Sequence, residues 1–251
     1  MLRSIIFILV VFCTVSACKK ETTTRQIPVN IAPDTIIIPI PLAPLDTNAL
    51  KPKYYLALGD SYTIGQSVNV FESFPAQTVN TLKALNVNFN SPEIIAQTGW
   101  TTKSLINNLA SYPPLRNNYD IVSLLIGVNN QYRMESQAQY LVEFNILLNN
   151  AIALANNKAN RVFVLSIPDY SVTPFGISSI NFNLISQQID SFNVINQRET
   201  LLAGAQYLNI TESTRQAIYD RSLIAEDGLH PSGKEYKKWA DLLAKMIKAT
   251  L

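Results

Sequence analysis

Tyr54-Tyr55-Leu56-Ala57-Leu58-Gly59-Asp60-Ser61-Tyr62-Thr63-Ile64-Gly65 decides how the rest of the chain is read. The run from Tyr54 to Leu58 is short, apolar and uninterrupted, the pattern of a strand buried on both faces of a parallel sheet. It stops at Gly59, which can take backbone angles closed to other residues and so permits a sharp turn. Ser61 then falls at the carboxyl end of a strand, where open α/β sheets gather their ligands. A serine there becomes a nucleophile only if a base takes its proton. The chain holds one histidine, His230, in Asp227-Gly228-Leu229-His230-Pro231-Ser232. Any nucleophilic role for Ser61 therefore has one candidate imidazole.

Working outward, strand and helix patterns alternate. Tyr54–Leu58, Glu93–Ala96, Ile121–Ile126, Arg161–Ile167 and Gln206–Ile210 read as strands, and Ile121–Ile126 is the most apolar of them. Between them Phe74–Leu85, a segment capped by Thr101 or Thr102 and running to about Ala110, Ser136 to about Asn156, and Phe182–Leu202 carry helical spacing. A last helix fills Ser232–Ala249, and Asp169 to Ser179 reads as a loop rich in Pro, Gly and Ser. Parallel strands need crossover helices, so this order predicts an α/β fold with a parallel sheet covered on both faces.

Upstream of residue 53 the composition changes. Arg3 followed by the apolar Ile5 to Phe12 has the proportions of a signal segment and is short for a membrane span. Val15-Ser16-Ala17-Cys18 resembles a bacterial lipobox, which predicts lipidation at Cys18 after removal of residues 1–17. An ordinary secretory signal with an incidental Cys18 is the plainer alternative. Lys19-Lys20-Glu21, Thr22-Thr23-Thr24 and the prolines at 28, 33, 39, 41, 44 and 52 read as an extended tether over 18–52, leaving a folded domain at 53–251. This organisation predicts a domain lipid-anchored in the bacterial cell envelope, periplasmic or on the outer membrane. Its membrane contact would be made only through the anchor.

The 251 residues are 47% hydrophobic and carry 20 basic against 18 acidic side chains, enough for one well-buried core. A net charge of +2 without a dense Lys/Arg cluster argues against a nucleic-acid partner. The lysines at 234, 237, 238, 245 and 248 read as a solvated helix face. Two cysteines, one of them inside the signal segment, give neither a disulfide framework nor a metal site.

Three expected strand ends carry notable residues on one edge: Ser61, Gly99 and Asn129. Asp227 and His230 arrive together from the loop before the last helix. Acyl transfer needs a nucleophile, a base, a group that orients the base and donors for the developing oxyanion. Ser61, His230 and Asp227 can supply the first three. The N–H groups of Ser61 and Gly99 and the Asn129 amide can supply the donors. Taken singly, each has a bland reading: Ser61, Gly99, Asn129 and Asp227 are ordinary turn residues, and His230 a surface histidine.

Gly59-Asp60-Ser61, Gly99, Gly127-Val128-Asn129 and Asp227-Gly228-Leu229-His230-Pro231 resemble, in order, the four blocks of the SGNH hydrolases, the GDSL esterase/lipase family. The resemblance spans about residues 54 to 247. It implies a three-layer α/β/α, flavodoxin-like fold with a five-stranded parallel sheet, no cofactor, and ester hydrolysis through an acyl-serine intermediate. A G-x-S-x-G elbow is absent around Ser61, which separates the chain from the larger α/β-hydrolase family. Two departures stand out. Asn130 replaces the usual aspartate of the third block, and Tyr62 replaces the leucine after the nucleophile.

Tyr62, Trp100, Tyr132, Arg133 and Tyr170 follow the strand ends and are expected to line a substrate cleft that Tyr170 to Gly176 shapes. The predicted substrate is a small-molecule or glycan ester, handled by a carbohydrate acetylesterase or a lysophospholipase-like enzyme acting as a monomer. Two rivals remain open at this point. One is an O-acyltransferase using the same site, and the other a catalytically silent glycan-binding lipoprotein.

Overall fold

The computed structural model describes residues 51–179 and 181–251. The expected signal segment, Cys18 and the tether through residue 50 lie outside the described residues. Chain order runs β1 (Tyr55–Asp60), α1 (Ser61–Ile64), α2 (Phe74–Ala84), β2 (Glu93–Gln97), α3 (Thr102–Ser111), β3 (Ile121–Leu125), α4 (Val128–Tyr132) and α5 (Gln137–Leu154). It continues through β4 (Val162–Leu165), α6 (Pro174–Ile177), α7 (Phe182–Leu202), β5 (Gln206–Leu208), α8 (Thr211–Arg215) and α9 (Gly233–Thr250). The strands form one sheet of five in the order β2-β1-β3-β4-β5, and every pairing is parallel.

That order creates a switch point. The chain leaves β1 toward β2 on one side, then returns to lay β3 on the other. Crevices at the carboxyl ends of strands flanking such a reversal are where open α/β sheets bind ligands. Ser61 leaves the end of β1 and Asn129 follows the end of β3, so both sit at this crevice.

β1, β3 and β4 are buried along their whole length, as their apolar sequences require. Helices α2 and α9 pack together on one face, while α3, α5 and α7 form the other. In α9 the side chains of Tyr236, Trp239, Ala240, Leu243, Ala244 and Ile247 are fully buried. They recur at helical spacing and face inward, and the larger ones each contribute roughly 1.5–3 kcal/mol of burial. Lys234, Lys237, Lys245 and Lys248 occupy the solvent face as expected. Thr101, one of the two anticipated caps, accepts from Ser104 N–H; Ser136 and Ser232 likewise cap their helices, accepting from the Gln139 and Glu235 N–H groups.

Two local expectations change. Gly59 does not make the turn; it lies inside β1, paired with Ala96 and Leu125. Glycine is required there by space, because a Cβ would stand 2.1 Å from Thr63 Oγ1 and 2.4 Å from the Leu125 carbonyl oxygen. The segment after β4 is also more regular than a loop. Tyr170–Val172 forms a 3-10 turn, and Thr173 caps α6 through the Gly176 N–H.

Candidate active site

Ser61 is the first residue of α1 and is 4% exposed. Asp60, at the end of β1, caps this short helix: its Oδ1 accepts from the Tyr62 N–H at 3.0 Å. Burial pushes the Asp60 carboxyl up to about 7, against the hydrogen bond from Tyr62 that favours the ionised form. Asp60 therefore fixes the start of α1 without reaching the cleft.

The opposite arm is a tight loop. Asp227 Oδ1 accepts from the backbone N–H groups of Leu229 and His230, both at 2.9 Å, which folds the segment into an Asx turn. Ala225 N–H donates to the His230 carbonyl at 2.8 Å and closes the loop ahead of α9. The imidazole is thereby held between two partners. His230 Nδ1 lies 2.6 Å from Asp227 Oδ2, and Nε2 lies 2.9 Å from Ser61 Oγ. The Tyr62 ring packs against the imidazole at a centroid distance of 4.9 Å. Partial burial acts to raise the Asp227 carboxyl, but hydrogen bonds from Ser67, the Leu229 N–H and His230 outweigh it and hold it down at about 2.

Gly99 follows β2, and its carbonyl accepts from Arg133 Nη2 at 2.9 Å. Asn129 Nδ2 donates to the Trp100 carbonyl at 3.0 Å. An amide nitrogen carries two hydrogens, so the second remains for the cleft. Both contacts tie the segment after β2 to α4, setting Gly99 and Asn129 beside Ser61. Gly127, just before α4, has φ +132, and a Cβ there would meet Tyr140 Oη and Ile167 Cδ1 at 2.7 Å. Only glycine suits both the angle and the gap.

Asn130 now has a physical account. It is fully buried, its Oδ1 accepts from Thr102 N–H at 3.1 Å, and its Nδ2 donates to Thr102 Oγ1 and Glu135 Oε2, each at 2.7 Å. Thr102 Oγ1 in turn donates to Glu143. An aspartate would set a second carboxylate against Glu135, whereas the amide donates to it. The substitution is thus matched to Glu135.

Ser61, Gly99, Asn129 and His230 open onto one cleft of about 240 Å³. Tyr62, Tyr132 and Tyr170 line it as the sequence suggested. Trp100 does not; its side chain is partly buried and packs against the core, while only its carbonyl serves the site. Arg133 braces Gly99 rather than lining the cleft. Gln66, Thr98 and Leu229 also line it; Thr98 and Leu229 are neighbours of the Gly99 and His230 blocks, whereas nothing in the sequence context of Gln66 marks it. Tyr132 is 58% exposed and Phe175 43%, and their rings stand 6.2 Å apart at the rim.

Residues 57–238 match the GDSL-like Lipase/Acylhydrolase family, and the chain belongs to it. It is a carboxylic ester hydrolase. No curated protein matches the chain significantly. Among solved structures it is similar to the lipase/acylhydrolase from Enterococcus faecalis, with 16% identity, TM-score 0.60, and 78% of this chain and 96% of that one covered. It is similar also to Axe2, an acetylxylan esterase from Geobacillus stearothermophilus, with 16% identity, TM-score 0.59 and coverage of 78% and 94%. A lipolytic protein of the G-D-S-L family from Veillonella parvula aligns at 15% identity, TM-score 0.58 and coverage of 79% and 99%. At these identities the likeness is one of fold.

Proposed function

We propose that the protein is a serine esterase that removes short acyl groups, acetyl foremost, from carbohydrate esters through an acyl-serine intermediate. The observation that carries this is the chain of contacts from Asp227 Oδ2 through both imidazole nitrogens to Ser61 Oγ, at 2.6 and 2.9 Å. In this reading His230 Nε2 takes the Ser61 proton as Oγ attacks the ester carbonyl, and Asp227 stabilises the imidazolium. The Ser61 N–H, the Gly99 N–H and the free hydrogen of the Asn129 amide hold the oxyanion. His230 then returns its proton to the departing alcohol oxygen. Water, deprotonated by His230, releases the carboxylic acid and regenerates Ser61.

The compact cleft supports a short acyl group, and the exposed Tyr132 and Phe175 rings at its rim offer faces on which a sugar ring can lie. Treatment with a fluorophosphonate should give one adduct on the peptide containing Ser61 and none in Ser61→Ala. An unlabelled Ser61 in folded protein contradicts the reading. With an acetylated saccharide as donor and a second saccharide present, free acetate should be the product; acetyl on the second sugar indicates transfer instead. The reading also places the enzyme in the bacterial envelope through lipid on Cys18. A fatty-acid label taken up by the wild type and lost in Cys18→Ala tests that part.

A further inference from the structure

Ser67 belongs to none of the sequence blocks, yet its hydroxyl donates to Asp227 Oδ2 at 2.7 Å, across 160 positions of chain. The helix that carries Ser61 ends at Gly65 in the left-handed conformation, and the chain turns back so that Ser67 meets the Asp227 loop. Ser67 itself has φ +66, a region that residues with a Cβ seldom enter. Glycine would suit that backbone better, so what serine adds at this position is its hydroxyl.

We propose that Ser67 is a positioning residue of the site, a fourth hydrogen-bonded member that shares the Asp227 oxygen facing His230 and so sets the imidazole's basicity. The proposal rests on the Ser61–His230–Asp227 reading above. The two Asp227 oxygens have separate duties. Oδ1 is pinned by the Leu229 and His230 N–H groups, and Oδ2 accepts from both His230 Nδ1 and Ser67 Oγ. Because Oδ1 stays pinned, loss of the Ser67 hydroxyl leaves the carboxylate in place with more of its charge directed at the imidazole. A less shared carboxylate favours the imidazolium more strongly. His230 then holds its proton to higher pH, and less free base is present near neutrality.

Other titratable groups surround the imidazole. Tyr62 of α1 packs on it, and Asp169, Tyr170 and Glu235 line the same small cavity, of about 20 Å³. Hydrogen bonds to the Asp227 side chain come from Ser67, Leu229 and His230. The pathway from Ser67 to His230 therefore runs through Asp227.

Ser67→Gly tests this without straining the backbone, since glycine adopts positive φ freely. The chain has one histidine, so its imidazole signal in an NMR titration needs no assignment. The midpoint should rise by about 0.5 pH in Ser67→Gly. The acid limb of kcat/KM should move with it, lowering kcat/KM by up to about threefold below the midpoint, with the loss recovered on the alkaline side. In an Asp227→Asn background the same change should leave the midpoint where it was. A midpoint that is unchanged or lowered in Ser67→Gly, or that moves equally in the Asp227→Asn background, overturns the proposal. The titration does not depend on turnover. A shifted midpoint in a protein that cleaves no ester upholds the Ser67 coupling and counts against the esterase reading.

Discussion

Asp60 and Asp227 bracket the site from opposite sides. Asp60 ends a central strand with 1% of its surface exposed, and burial carries its carboxyl up to about 7. Asp227 sits in a surface loop with its side chain 27% exposed, and converging donors hold it down at about 2. The first belongs to the half of the site that is built by packing: β1, β3 and the segments leaving them. The second belongs to the half built by hydrogen bonds within one loop. The proposed serine chemistry needs a fixed nucleophile and an ionised carboxylate, and the two environments differ in just those respects.

Breaking the hydrogen-bonded half should cost activity and little stability. Asp227→Asn is expected to lower kcat on the order of a thousandfold, by analogy with serine triads, while thermal melting stays within a few degrees of wild type. Steady-state kinetics and a melting curve on the same preparation check both parts.

The pH dependence of stability sharpens the contrast. With its pKa raised in the fold, Asp60 keeps its proton in the native state while the unfolded chain has lost it. The native state thus binds more protons between about pH 4 and pH 7, so stability falls as pH rises through that window. The full effect is on the order of 4 kcal/mol. Asp227 works in the opposite sense: its contribution is present above about pH 4 and is lost as pH falls toward 2. Denaturant unfolding at a series of pH values should therefore show a slope that flattens in Asp60→Asn.

Breaking the packed half should cost stability first. Gly59→Ala drives a Cβ into the Leu125 carbonyl, an atom that cannot move without shifting the sheet. A loss of about 3 kcal/mol, or roughly 10 °C in Tm, is expected. Asn130→Asp is the mildest of these changes. It sets a second carboxylate against Glu135 and should cost roughly 1–3 kcal/mol near neutrality. The deficit should shrink toward pH 4, where the pair shares a proton, and should largely vanish in the Asn130→Asp, Glu135→Gln double variant.

The packed half was also the legible half. Apolar runs bounded by Gly and Pro located every strand to within one or two residues at its start, and α7 was read at both ends. Asp-x-x-His before a helix brought Asp227 and His230 together on one loop, because the Asx turn that joins those residues is a local event. What escaped the sequence was tertiary. Trp100 looks like a cleft aromatic because it follows a strand end, yet its partly buried side chain packs against the core. The need for glycine at 59 comes from the neighbouring strand and from α1, which no local pattern reveals. Ser67 is one more serine in a polar loop until the fold brings Asp227 within reach. The short helices α4, α6 and α8 span too few residues to show a period.

The central claim is that Ser61 performs the chemistry with His230 as its base. Hydrolysis of p-nitrophenyl esters from acetate to octanoate, by the wild type and by Ser61→Ala, tests it most directly. The account predicts wild-type turnover that is fastest for the shortest chains. In Ser61→Ala it predicts a rate lower on the order of a thousandfold or more, at unchanged melting temperature. A folded Ser61→Ala protein that keeps the wild-type rate contradicts it.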